Sequence, residues 1–133
     1  MSLVADFHRK YQQPCPTGPP VVPDPDLARL RLRLIREEYE EVRVEMEKLI
    51  RTKDPDEAVR VFRLLLKELC DLRYVVEGTA VAYGLPFEEA YAEVHRSNMT
   101  KTAGPLGGKA IKGPTYEPAD VDQFIPSIIR MEG

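Results

Sequence analysis

The sequence has little that would place the protein outside a reducing compartment or on a nucleic acid. Its 133 residues include two cysteines, two histidines and no tryptophan, and the net charge is only −3. Cys15 lies in a proline-rich segment and Cys70 lies in a helical pattern, which predicts two free thiols rather than a disulfide. A small net charge provides no basic field for nucleic acid or for an anionic membrane.

Long hydrophobic runs are also missing. The most apolar stretch, around residues 75–85, is interrupted by Glu77 and Gly78 and is too short to cross a bilayer. Basic residues near the N-terminus are not followed by an apolar run, so no signal peptide is expected. We therefore predict a cytoplasmic protein that binds neither membranes nor nucleic acid.

What the chain does have is helical periodicity, with no alternating run long enough to predict a sheet. Asp54, Pro55 and Glu57 form a capping-box pattern in front of one long helix, and Gly84 is positioned to end it. The predicted elements are a helical arm at 4–12, long helices at about 26–51 and 55–83, a helix at 86–97, and a short last helix at 119–130.

A chain of this length has room for one domain, so residues 1–133 are predicted to form a single all-α unit. Residues 1–25 form its N-terminal arm and proline-rich segment, and residues 104–118 form a loop rich in glycine, proline and lysine. Two long helices with apolar faces favour self-association, which predicts an antiparallel helix bundle completed by oligomerisation. The apolar arc of the first long helix is expected to be core and consists of Leu32, Ile35, Tyr39, Val42, Met46 and Leu49.

A stripe of glutamates lies beside that arc. At about 100° per residue, Glu38, Glu41 and Glu45 fall on the same side of the helix as Glu37. Acids at this spacing destabilise a helix by about 0.2–0.5 kcal/mol per pair, so a bound cation would stabilise the stripe. The alternative is a solvated acidic face balanced by neighbouring cations, namely Arg33, Arg36, Arg43 and Lys48.

Two further acids interrupt the apolar face of the second long helix. Glu68 shares its side of the helix with Val61 and Leu65, and Asp71 borders the same stripe. A buried carboxylate is stable only when it is protonated, paired or bound to metal. The alternative to a metal is pairing with a nearby cation, Arg63, Lys67 or Arg73.

The two long helices can lie antiparallel with their acids opposed, because only one turn separates them. An all-oxygen site of this kind suits Mg²⁺, or Mn²⁺, rather than zinc. Iron sites in helical bundles use Glu-x-x-His pairs, and neither His8 nor His95 follows a glutamate at that spacing. The predicted metal ligands are Glu37, Glu38, Glu41, Glu68 and Asp71.

The motif Glu37-Glu38-x-x-Glu41 followed by Glu68-x-x-Asp71 resembles the signature of the MazG-like all-α pyrophosphohydrolases. That superfamily includes phosphoribosyl-ATP pyrophosphohydrolase and the dimeric dUTPases. The resemblance covers roughly residues 5–118 and ends with a segment in which Asn98 precedes Lys101 at the family's spacing.

The resemblance implies a Mg²⁺-dependent enzyme that cleaves a nucleoside triphosphate between its α and β phosphorus atoms. The products are a monophosphate and pyrophosphate. It also implies a homodimer or homotetramer with sites near subunit interfaces. Among the metal and water-activating acids, the predicted general base is Glu38 or Glu41.

The same resemblance implies that Asn98 and Lys101 contact the nucleotide, although both could simply terminate their helix. Phosphoryl transfer also requires basic groups around the polyphosphate, for which Lys109, Lys112 and Arg96 are candidates. Tyr116 could stack on the base or could pack internally.

The predicted substrate is a deoxyuridine or deoxycytidine triphosphate, cleared from the nucleotide pool. Two alternatives remain open at the level of sequence. One is phosphoribosyl-ATP as the substrate, and the other is a non-catalytic helical oligomer whose acids form interhelical salt bridges.

Overall fold

The computed structural model describes residues 2–131, and the fold is all-α as predicted. A two-residue parallel pairing joins β1 (Val21–Val22) to β2 (Arg130–Met131), and a 3₁₀ turn covers Asp122–Phe124. The helices of the described residues are α1 (Leu3–Lys10), α2 (Pro25–Arg51), α3 (Pro55–Tyr83) and α4 (Phe87–Asn98).

The ends of the two long helices follow from local side-chain chemistry. The Asp24 carboxylate accepts the N–H groups of Asp26 and Leu27 at 2.9 and 3.1 Å, and so caps α2. The Asp54 carboxylate caps α3 in the same way, by accepting one N–H at 3.2 Å. Gly84 ends α3 with φ of +70°, a left-handed conformation that glycine adopts without steric cost.

The predicted helix at 119–130 is wrong. Ile125, just before Pro126, has extended angles of φ −107° and ψ 113°, because the proline ring disfavours a helical conformation at the preceding residue. The chain then runs to Arg130, whose side chain donates to the carbonyl oxygens of Thr17 and Pro19 at 2.5 and 2.7 Å. These contacts hold β2 against the proline-rich segment.

The antiparallel α2–α3 pair forms the centre of the molecule, with α1 packed on α3. Val42 and Val61 are buried in this pair, at 6% and 5% exposure. The apolar arc predicted for α2 is only partly core, because Leu32, Tyr39 and Met46 are 56%, 55% and 49% exposed in the single chain.

Polar residues occupy the side of α2 that faces α3 instead. Arg31 and Glu45 are 5% and 8% exposed, and Glu38 is half-buried. These three residues each come directly before an exposed residue of the predicted apolar arc. The packed face of α2 is therefore shifted from the predicted arc toward Arg31, Glu38 and Glu45, and Val42 lies where the two faces overlap.

Arg31 connects the start of α2 to the end of α3. Its Nε donates to the Thr79 hydroxyl at 3.1 Å and its Nη2 to the Val75 carbonyl at 2.8 Å. Burial lowers the pKa of this guanidinium. His8 is buried beside it, with its Nδ1 2.8 Å from the Pro14 carbonyl oxygen, and this contact anchors α1 and the segment that follows it.

None of the helices within residues 2–131 is long and apolar enough to cross a membrane.

Gly78 makes the approach of Arg31 to α3 possible, because a Cβ there would lie 2.6 Å from Arg31 Nη2 and 3.0 Å from His8 Nε2. We expect Gly78→Ala to destabilise the protein by about 1–3 kcal/mol through overpacking, which outweighs the gain in helix propensity. Thermal unfolding measures this as a lowered melting temperature. A raised melting temperature, as expected for an unhindered helical glycine, would contradict the tight contact.

Candidate metal centre

Four carboxylates meet between α2 and α3. Glu38 and Glu41 lie one turn apart on α2, and Glu68 and Asp71 lie one turn apart on the facing side of α3. Each side chain offers one oxygen, and these four oxygens all lie within 4.8 Å of one another. We call these residues the four-carboxylate group.

Two oxygens of the group are buried without a partner. Oε2 of Glu38 and Oε2 of Glu68 are both enclosed and accept no hydrogen bond from any described residue. A buried carboxylate oxygen without a donor is costly, so a proton or a cation is expected to compensate it. A small oxygen-lined site of this kind fits the ligand preferences of Mg²⁺ or Mn²⁺.

Only Asp71 among these acids forms a salt bridge within the described residues. Lys67 Nζ lies 2.6 Å from Asp71 Oδ2, one turn away on the same helix. Arg73, another predicted candidate, pairs instead with Glu77 at 2.8 Å. The salt-bridged alternative therefore applies to a single member of the four-carboxylate group.

The pKa of Glu68 is raised above its ordinary value. A hydrogen bond shared with Glu41 is the largest cause, followed by burial and by the negative charge of Glu41, while Lys67 acts in the opposite direction. Two ionised carboxylates cannot hydrogen-bond to each other, so such a bond forms only when one of the pair carries a proton. The raised pKa thus reflects the same crowding of negative charge that a bound cation would relieve.

Glu37 stands apart from the group, although it was predicted to be a ligand. Its carboxylate is exposed and lies 3.9 Å from the guanidinium of Arg33. A surface groove of about 610 Å³ runs beside the four-carboxylate group, and Glu37 borders it. The groove is lined by Arg36, Glu37, Glu40, Glu41, Val44, Glu45 and Glu68.

The predicted nucleotide contacts lie at the end of α4 and in the loop that follows it. Asn98 is the last residue of α4, and its carbonyl accepts the Lys101 N–H at 3.2 Å. Lys112 Nζ lies 5.2 Å from the centre of the Tyr116 ring, a cation–π contact. Within one chain, the groove is not lined by any of the predicted nucleotide contacts, namely Asn98, Lys101, Lys109, Lys112 and Tyr116.

The guanidinium of Arg96, a predicted polyphosphate contact, forms ion pairs with two glutamates instead. It pairs with Glu93 at 2.6 Å and with Glu117 at 3.3 Å, and Ser97 donates to the Glu117 carbonyl at 2.7 Å. These contacts fasten the loop to the last turns of α4.

Glu45 was not selected as a site residue from the sequence. It is almost fully buried beside the groove, and its Oε2 has no partner among the described residues. Its position in the glutamate stripe, one turn after Glu41, was the available signal.

Among known families, the sequence model described as phosphoribosyl-ATP pyrophosphohydrolase matches residues 4–98. The matched range contains the whole four-carboxylate group and ends where the loop after α4 begins. No curated protein matches the chain.

We expect Mg²⁺ or Mn²⁺ to raise the melting temperature of the metal-free protein, because a ligand that binds only the folded state stabilises it by about 2.7 kcal/mol at 100 times its Kd. Glu68→Gln should abolish this shift. Glu57→Gln, which removes an acid from the first turn of the same helix, should keep it. Equal shifts in both variants, measured by thermal unfolding with and without metal, would contradict the site.

The raised pKa of Glu68 also predicts how stability depends on pH. Because the folded state holds this proton more tightly than the unfolded state, the stabilisation is complete below the ordinary glutamate pKa and is lost as pH rises through the raised pKa. Without metal, the wild type should therefore lose stability relative to Glu68→Gln over that interval. Parallel pH profiles of the two proteins would show that Glu68 has no such shift.

Proposed function

Because the chain belongs to the phosphoribosyl-ATP pyrophosphohydrolase family, we propose that it hydrolyses a nucleoside triphosphate between the α and β phosphorus atoms. Family membership itself assigns the coarser activity, a pyrophosphohydrolase that acts on a nucleotide phosphoanhydride, within the MazG-like superfamily. The proposed products are a nucleoside monophosphate and pyrophosphate. The proposed cofactor is Mg²⁺, with Mn²⁺ as a substitute.

The observation that carries the proposal is the four-carboxylate group with its unpartnered oxygens on Glu38 and Glu68. Acids crowded this closely require a compensating charge, and the negative charge of a polyphosphate substrate opposes its approach to them without one. Bound Mg²⁺ would neutralise phosphate charge and help orient the attacking water.

The proposed general base is Glu38 or Glu41. Both residues lie in the four-carboxylate group, on the helix opposite Glu68 and Asp71, where a carboxylate can accept a proton from a water that approaches the group. The base takes a proton from water as the water oxygen bonds to the α phosphorus. The bond between that phosphorus and the bridging oxygen breaks, and its electron pair leaves with pyrophosphate.

The exposed apolar residues of α2 support a homodimer or homotetramer. Leu32, Tyr39 and Met46 lie on one side of the helix, and Ile50 on the same helix is 80% exposed. Covering such a surface would stabilise an assembly through hydrophobic burial. In such an assembly, we propose that the loop after α4 brings Asn98, Lys101, Lys109, Lys112 and Tyr116 to the nucleotide.

The proposed substrate is dUTP or dCTP. The loop after α4 carries four of the proposed nucleotide contacts, Lys101, Lys109, Lys112 and Tyr116, and lies outside the range that the family model matches. The description of that family model favours phosphoribosyl-ATP as the second candidate. A cytoplasmic location and the absence of nucleic-acid binding stay predictions.

Incubation with Mg²⁺ and a panel containing nucleoside triphosphates and phosphoribosyl-ATP tests the proposal, with pyrophosphate and monophosphate quantified separately. Equal amounts of both products, formed only in the presence of metal, are expected. The substrate with the highest kcat/KM decides between the two candidates. Release of single phosphate would contradict cleavage between the α and β phosphorus atoms.

We expect Glu41→Gln and Glu68→Gln to lower kcat by about 10²–10⁴-fold, since one removes a proton acceptor and the other a metal ligand. Glu89→Gln, an exposed acid in the first turn of α4, should retain wild-type activity. If both site variants keep full turnover, the acids are only structural. The non-catalytic helical oligomer would then be the better description.

A further inference from the structure

Among residues 2–131, Lys67 is the only cation that forms a salt bridge with the four-carboxylate group. Its Nζ lies 2.6 Å from Asp71 Oδ2, one helical turn away on α3. The Lys67 side chain is 68% exposed, whereas that of Asp71 is 36% exposed. The ammonium therefore reaches the group from the solvent side, and this salt bridge can open without disturbing the packed helices.

The neighbouring arginines pair with acids that lie outside the group. Arg73 on α3 pairs with Glu77 at 2.8 Å. Arg43 on α2 pairs with Glu47 at 2.6 Å and also binds Glu40. Lys67 differs from both arginines, because its carboxylate partner is a proposed metal ligand.

A metal ion and the Lys67 ammonium compete for the negative charge of Asp71. Mg²⁺ takes carboxylate oxygens as ligands, and an ammonium on the same carboxylate repels the ion. The four acids each offer an oxygen within 4.8 Å of the others, so an ion held by the group lies close to the ammonium. Exposed ion pairs are weak, and a divalent ion can therefore displace this one.

A displaced Lys67 remains beside the bound metal as an exposed cation. Lysine commonly binds phosphate groups as a point charge, and its flexible stem lets the ammonium change partners. We propose that Lys67 is the counter-ion of the metal-free centre, that the metal displaces it from Asp71, and that it then binds the polyphosphate of the substrate. The inference rests on the proposed function, because it takes the four-carboxylate group to be a metal site.

The exchange predicts two effects of opposite sign from a single substitution. Removing the ammonium removes the competitor for Asp71, so metal binding becomes tighter. It also removes a contact to the polyphosphate, so binding of that anion becomes weaker. A lysine that only stabilised its own helix would change neither affinity.

Isothermal titration of Mn²⁺ into the metal-free protein measures the first effect, at low ionic strength because salt screens exposed charges. Lys67→Gln should bind Mn²⁺ about two- to fivefold more tightly than the wild type, the range that an exposed ion pair contributes. Lys67→Arg keeps the positive charge and should bind as the wild type does. Arg63→Gln is the matched control, because it removes the same charge from an exposed residue one turn earlier on α3, and it should leave the affinity unchanged.

Titration of magnesium pyrophosphate into the Mg²⁺-saturated protein measures the second effect and depends neither on the base of the substrate nor on turnover. Lys67→Gln should bind this probe about tenfold more weakly, as expected for the loss of a hydrogen bond between charged groups. Arg63→Gln should bind it as the wild type does. In the turnover assay, Lys67→Gln should raise KM more than it lowers kcat.

Thermal unfolding without metal checks that the variants fold. Lys67→Gln leaves Asp71 without its counter-ion, so its melting temperature should be slightly lower than that of the wild type. Added Mn²⁺ should then raise its melting temperature by more than it raises that of the wild type.

The possible results separate the inference from the proposed function. Mn²⁺ affinity that is equal or lower in Lys67→Gln overturns the displacement, and unchanged binding of magnesium pyrophosphate overturns the contact with the polyphosphate. Either result leaves the metal centre and the proposed activity standing. If the wild type binds no Mn²⁺, the metal centre is wrong and the inference fails with it.

Discussion

The rest of the structure depends on the close approach of like charges between α2 and α3. Four carboxylate oxygens within 4.8 Å of one another repel strongly in a partly buried setting. The helices can bring them together because Val42 and Val61 pack in the same pair, and because Lys67 neutralises Asp71. The pKa of Glu68 is raised by its hydrogen bond with Glu41, by burial and by this repulsion. The proposed metal ion would relieve the repulsion at this centre.

The same constraint explains how the two long helices are turned. Arg31, Glu38 and Glu45 face α3, which leaves the apolar Leu32 and Tyr39 exposed. A single chain that maximised hydrophobic burial would turn α2 the other way. In the observed orientation of α2, the acids lie between the two helices and the apolar side chains lie on the surface. A second copy of the chain can cover those side chains there. The proposed metal centre and the proposed self-association therefore both depend on the rotation of α2.

Local chemistry in the sequence was sufficient to predict the helix ends and insufficient for the C-terminal segment. Asp54 and Gly84 act on backbone groups a few residues away, so their roles can be read from spacing alone. The extended conformation near the end of residues 119–130 depends on Pro126 and on the contact between Arg130 and the distant proline-rich segment. A non-local hydrogen bond of that kind leaves no periodic signal.

The sequence by itself determined the two long helices, the order of the acidic motifs and the kind of ion that they suit, because residue type and periodicity carry that information. Only the tertiary structure decided which acids meet. It placed Glu37 outside the four-carboxylate group and buried Glu45, which the motif does not contain. The physical reason is that the helical period sets the angles between side chains on one helix. The direction in which that helix faces is set by its partner, through burial and charge summed over both helices.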